Sequence, residues 1–159
     1  MIMKRNRGYK AQSSFELLIT LTIGLAILLP IVTIAFIQIS SANSSLSAIE
    51  AQQASGKLAS IATLVGSEGP PAKQVIQLSV PPGIRYIYIG TTSNGVGHEI
   101  IFVISSPSGL SYITSYTPIN VTGNLGGIAA TGTYLVNVTS FSSCPTAPQV
   151  TCVYMSPVV

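Results

Sequence analysis

The sequence has no tryptophan, no aspartate, one histidine and two cysteines among its 159 residues. Charged residues make up only 7% of it, against about 25% in soluble globular domains. Each shortage excludes something. The only acids are Glu16, Glu50, Glu68 and Glu99. A chain with so few has no Ser–His–Asp set, little material for acid–base work and no ligand cluster spaced for a metal. The expectation is therefore a non-enzyme, with no catalytic residue, no cofactor and no metal. Disorder is excluded as well, because it needs low hydrophobicity and high charge. Here 47% of residues are hydrophobic and the mean hydropathy is +0.57. The formal charge of +3 looks at first like a nucleic-acid footprint. Its distribution removes that reading. Lys4, Arg5, Arg7 and Lys10 lie in the first ten residues, and only Lys57, Lys73 and Arg85 remain against the four glutamates. No basic face is left to track phosphates, so no nucleic-acid partner is expected.

What the sequence does have is a long apolar run. Residues 17–37 carry no charged side chain, and their only polar members are Thr20, Thr22 and Thr33. As a helix, about 21 residues span about 31 Å, close to the hydrocarbon thickness of a bilayer. Signal-peptide apolar regions are shorter, about 7–15 residues. Gly24 and Pro30 are tolerated in membrane helices, and Pro30 predicts a kink. The cations before the run place the N-terminus in the cytoplasm and the remainder outside. Between the cations and the run lies Lys10-Ala11-Gln12-Ser13-Ser14-Phe15-Glu16. A plain anchor needs no small residue and polar stretch there. A protease uses both, because an extended polar segment at the membrane surface can be cut. Glu16 itself sits at the lip of the run, either as an interfacial residue in the headgroup zone or in a functional role.

Gln12-x-Ser14-x-Glu16 leading into a long apolar helix resembles the class III signal peptide of archaeal type IV-like pilins. The family pattern continues three residues later with a Leu. Thr20 stands there in this chain, with Leu21 beside it. The resemblance covers about residues 4–37. It implies cleavage by a prepilin peptidase between Ala11 and Gln12, which removes residues 1–11 with Lys10 and the other cations. It implies further that the mature chain joins other pilin subunits, in a homo- or heteropolymer, through its N-terminal helix. Glu16 would then set the register by contacting the N-terminus of a neighbour, since a charge in a dry bundle is costly unless paired. If Gln12 cyclises to a neutral pyroglutamate, Glu16 takes another donor or a proton.

Beyond residue 37 the composition turns to Ser, Ala, Asn and Gln, yet Ile39, Ala42, Leu46, Ile49, Ala54, Leu58, Ile61 and Val65 recur mostly at spacings of three and four. That is one face of an amphipathic helix, ended by Gly66 and Gly69-Pro70-Pro71. The long helix is thus expected over 12–65, with 17–37 transmembrane. Its stripe of small residues packs on the chain's own β domain or on neighbouring helices. After residue 71 the pattern is β. Strands are expected at 74–80, 84–89, 99–104, 110–116, 119–122, 133–141 and 150–155, with a hairpin at Asn94-Gly95 and a flexible Gly/Ala-rich surface loop at 124–131. The fold class is α+β: a long N-terminal helix, half transmembrane and half amphipathic, followed by a small antiparallel sandwich-like or curved-sheet domain over 72–159.

Cys144 and Cys152 lie eight apart, around Pro145 and Pro148. In an oxidising exterior two cysteines this close pair, and the bond is expected to pin the C-terminal strand; free thiols are the alternative. Asn43, Asn120 and Asn137 head N-x-S/T sequons, of which Asn120 and Asn137 are favoured and Asn43 lies on the helix. His98 and Glu99 are adjacent in a strand and point to opposite faces, so they cannot share a site. The seven tyrosines serve sheet packing or surface adhesion. Together these readings point to a structural subunit of an archaeal type IV-like pilus. It starts in the cell membrane and ends in an extracellular filament that serves adhesion. Two alternatives remain: an uncleaved, membrane-anchored ectodomain, and a β domain released by signal peptidase after Ser40-Ser41-Ala42.

Overall fold

The computed structural model of the chain describes residues 8–93, 95–106, 109–128 and 130–158, with side chains from residue 14 onward. The fold is α+β. One helix, α1 (Gly8–Glu68), precedes six strands: β1 (Lys73–Val80), β2 (Ile84–Gly90), β3 (Gly97–Ser106), β4 (Gly109–Gly123), β5 (Gly132–Phe141) and β6 (Cys152–Pro157). The chain divides into two compact units, Met1–Asn43 and Ser44–Val159.

In the first unit α1 is continuous through Pro30. Every described side chain from Ser14 to Asn43 is exposed, including a near-unbroken series of Leu, Ile, Val and Phe. This is the one helix among the described residues long and apolar enough to cross a membrane. Its threonines do not break the apolar surface, because their hydroxyls bond back into the helix. Thr20 donates to the carbonyl of Glu16 at 2.9 Å, Thr22 to Leu18 at 2.7 Å and Thr33 to Leu29 at 2.8 Å. Such back-bonding satisfies a hydroxyl where no water is present.

In the second unit α1 buries Ala51, Ala54, Leu58, Ala59, Ala62 and Val65 in one core with the sheet. The spacing is that of a single helix face, and four of the six are alanine, which lets the strands approach closely. Gly69 ends the helix in the left-handed conformation, at φ 74°, where a side chain is strained and glycine is not. The following Pro70-Pro71 cannot continue a helix. The sheet contributes alternating residues: Ile76, Leu78 and Val80 from β1, Ile100, Phe102 and Ile104 from β3, and Val136 and Val138 from β5. Burying each large aliphatic side chain contributes about 1.5–3 kcal/mol.

The strand order is β1-β5-β6-β4-β3-β2, so the strands make a single sheet rather than a sandwich. All pairs are antiparallel except β4 with β6. The exception has a simple cause. The β4-to-β5 connection leaves a gap one strand wide. β6, which follows both in the chain, fills it. Running antiparallel to β5 makes it parallel to β4. Six strands replace the seven expected because 110–116 and 119–122 belong to one strand, β4, which continues through Pro118. The segment 124–131 is the surface loop its composition predicts, with Asn124, Gly126, Gly127, Ala130 and Thr131 exposed, but two of its side chains turn inward. Leu125 and Ile128 are 1% and 3% exposed and belong to the core. Two apolar side chains among the glycines are enough to anchor the loop. The β2–β3 hairpin is present, and its Asn94 lies outside the described residues.

Candidate functional site

The N-terminal segment is built on α1. Lys4, Arg5 and Arg7 lie outside the described residues. Lys10, Ala11 and Gln12 fall within the helix, so the Ala11–Gln12 peptide bond sits in helical rather than extended backbone. That differs from the extended segment expected between the cations and the apolar run, and α1 starts several residues earlier and ends three later than 12–65. The cause is local: nothing from Gly8 to Ser13 breaks a helix, and Tyr9, Lys10, Ala11 and Gln12 accept helical geometry. The first turn holds no acidic residue. Opening such an end disrupts little, because the first four N–H groups have no helical partner in any case. Ser14 and Glu16 are exposed. After Glu16 the next charged residue on α1 is Glu50. Glu16 is therefore the single charge beside a long uncharged surface.

The stripe predicted on the upper helix divides in two. Ala54, Leu58 and Val65 are buried against the sheet and Ile61 partly so, whereas Ile39, Ala42, Leu46 and Ile49 are exposed. The helix face with apolar periodicity is longer than the part its own sheet covers.

The outward groups cluster on the sheet face opposite α1. On β2, β3 and β4 the cross-strand register sets Tyr86, Val103 and Tyr112 in one row and Tyr88, Ile101 and Thr114 in the next. Val103 and Ile101 are buried, while Tyr86, Tyr112 and Tyr116 are exposed. Tyr86 stacks on Tyr88, with ring centroids 5.9 Å apart. The tyrosines therefore both pack and face outward. His98 is exposed on β3, stacks on Tyr116 at 5.8 Å, and directs Nδ1 at the carbonyls of Thr117 and Ile119 at 3.2 and 3.1 Å. A ring nitrogen facing two carbonyls carries the proton. Among the described residues no three His, Cys or Glu side chains converge as metal ligands.

Cys144 and Cys152 form a disulfide with Cα atoms 5.4 Å apart. Cys152 opens β6, so the bond ties this strand to the start of the loop that leads into it from β5. Within that loop Cys144 N donates to Val150 O at 2.9 Å and Val150 N to Ala147 O at 3.1 Å. Asn43 is exposed on α1. Asn137 is half-buried on β5, and its Oδ1 accepts from the Thr139 hydroxyl at 3.3 Å. Asn120 is half-buried on β4, and its Nδ2 donates to Thr151 O at 3.3 Å.

Two polar contacts carry no signal in the sequence. Ser55 on α1 and Ser115 on β4 are both buried and share a hydrogen bond of 2.8 Å. Thr122 and Thr146 share another at 3.3 Å. Each joins residues far apart in the chain, which no periodicity marks. No protein-family model, curated protein or solved structure matches this chain.

Proposed function

We propose that this chain is a structural subunit of an extracellular filament of the archaeal type IV-like pilin kind. It is held first in the cell membrane by α1, cut before Gln12 by a prepilin peptidase, and assembled with other subunits through the same helix. The observation that carries the reading is the exposed apolar surface of α1. From Leu17 to Ile37 the helix is apolar almost all round, apart from threonines bonded back to their own backbone. In water such a surface costs about 25 cal/mol per Å². It needs lipid before assembly and other helices afterwards, and the exchange of one for the other exposes little of it. The exposed Ile39, Leu46 and Ile49 extend that surface past the membrane-length part, which favours packing on neighbouring helices over a plain anchor. Gln12, Ser14 and Glu16 supply the recognition pattern for the peptidase, and Glu16 the register. On this reading the sheet faces outward, its tyrosine-bearing face meets other surfaces, and Asn120, Asn137 and Asn43 are the candidate glycan acceptors.

The test is processing. Membranes holding the full chain are incubated with an archaeal prepilin peptidase, and the product mass is measured. The reading expects loss of residues 1–11, blocked by a bulky substitution at Ala11. An uncut chain would leave the anchored-ectodomain alternative, and a cut before Asn43 the secreted one.

A further inference from the structure

We propose that the Cys144–Cys152 loop, with the strand it leads into, gates the Asn120 sequon: a glycan is transferred to Asn120 while β6 is out of the sheet, and closure of the disulfide ends the opportunity. The proposal rests on the reading of Asn120 as a glycan acceptor.

Transfer joins Asn120 Nδ2 to the anomeric carbon of a lipid-phosphate-activated oligosaccharide. The bond from that carbon to the phosphate oxygen breaks, the lipid phosphate leaves with the electron pair, and Nδ2 gives one proton to a base of the transferase. Two groups must be presented: the amide nitrogen, and the hydroxyl two residues on, which the transferase must grip. In the folded chain the loop and its strand hold both. Nδ2 of Asn120 donates to the carbonyl of Thr151, the residue before Cys152. Thr122 is 0% exposed, and its hydroxyl meets that of Thr146 inside the loop. Thr146 in turn lies 3.6 Å from Cys144 Sγ. The backbone is fixed as well. Val121 pairs with Val153, and Thr122 with Tyr154, on the β6 side, while Gly97 pairs with Val121 on the β3 side. A sequon locked between two strands, with its hydroxyl buried, cannot enter an active site.

The topology supplies the moment when it can. β6 follows both β4 and β5 in the chain, yet it lies between them. Until it enters, the Asn120–Thr122 stretch is a sheet edge with one open side, and nothing covers Thr122 from the loop. Closing the disulfide transfers two electrons and two protons from the thiols to an external disulfide oxidant. It then confines Cys152, and with it the start of β6, next to the β5 end. Local opening that exposes β6 becomes rarer once the loop is short and covalently closed.

The test uses the purified full chain in detergent, an oligosaccharyltransferase, and its lipid-linked oligosaccharide. Occupancy of Asn120 is followed by peptide mass spectrometry for the oxidised chain, the dithiothreitol-reduced chain and the Cys144→Ser/Cys152→Ser variant. A free peptide spanning residues 117–125 serves as reference. Amide exchange in β2 and β3 reports whether the core stays closed. The gate predicts transfer at least about tenfold faster in the reduced chain and in the double variant, with β2 and β3 still protected, as expected for local rather than global opening. Equal rates in oxidised and reduced chains overturn it. So does a gain that appears only as β2 and β3 lose protection, because ordinary unfolding then explains it. A peptide that is never modified removes Asn120 as an acceptor and the gate with it. The experiment contains no peptidase and no filament, so none of these outcomes bears on the pilin reading.

Discussion

Glu16 is one carboxylate beside a helix surface that stays uncharged until Glu50. In lipid, such a group stays at the interface, where water solvates it. In a helix bundle it needs a partner, since an unpaired buried charge costs several kcal/mol. Glu16→Gln keeps the shape and removes the charge. The expected result is a large loss of sheared filament with an unchanged melting temperature of the β domain; unchanged processing and filament yield would contradict the register role. Ser55 and Ser115 make the opposite case, a residue pair that acts on stability alone. Ser55→Ala leaves the buried Ser115 hydroxyl short of a partner and should cost about 1–3 kcal/mol, while the Ser55→Ala/Ser115→Ala double variant should cost less than the two singles together. Chemical denaturation of the three variants measures both. The two kinds of residue were not equally legible. Glu16 stands out because a charge beside an apolar run is anomalous in any sequence. The Ser55–Ser115 bond joins two ordinary serines that only the tertiary fold brings together. The disulfide was legible, since Cys144 and Cys152 have no other partner to choose.

At the scale of elements, α1 and most strands follow from periodicity, because burial of one face is what periodicity records. The placement of β6 does not, since its pairing with β4 leaves no local trace. At 124–131 composition marks the exposed loop but not its two inward side chains, Leu125 and Ile128, which join the core. The helical stripe, expected to pack on the chain's own β domain or on neighbouring helices, divides into a segment buried against the sheet and an exposed one. That division yields a prediction. Leu58→Ala opens a cavity in the core and should destabilise the β domain by about 2–5 kcal/mol. Leu46→Ala, at an exposed position, should change stability by less than about 0.5 kcal/mol but reduce filament yield, because on the proposed function its contact is with a neighbouring subunit. Thermal melts beside filament yields separate the two effects. Loss of the disulfide acts between these limits. The Cys144→Ser/Cys152→Ser variant should lose about 2 kcal/mol by release of a short closed loop.

At the scale of the whole molecule, every residue of the hydrophobic core lies in the second unit, from Ala51 onward. Among its described side chains, from Ser14 to Asn43, the first unit contributes exposed apolar groups and no core residue. A chain beginning at Ser44 should therefore stay soluble without detergent and melt cooperatively, whereas the full chain should need detergent or membrane; light scattering and calorimetry compare them. The same division underlies the proposed function, a folded outward domain and a helix whose surface is completed by lipid or by other copies. Its central claim is tested most directly by shearing filaments from the native cell surface and determining the N-terminus and intact mass of this chain within them. The account predicts a chain that starts at Gln12, or its pyroglutamate, with two hydrogens fewer than the reduced sequence and any glycans as discrete additions. A chain that still carries Met1 and its cations, found in membranes and not in filaments, would contradict it.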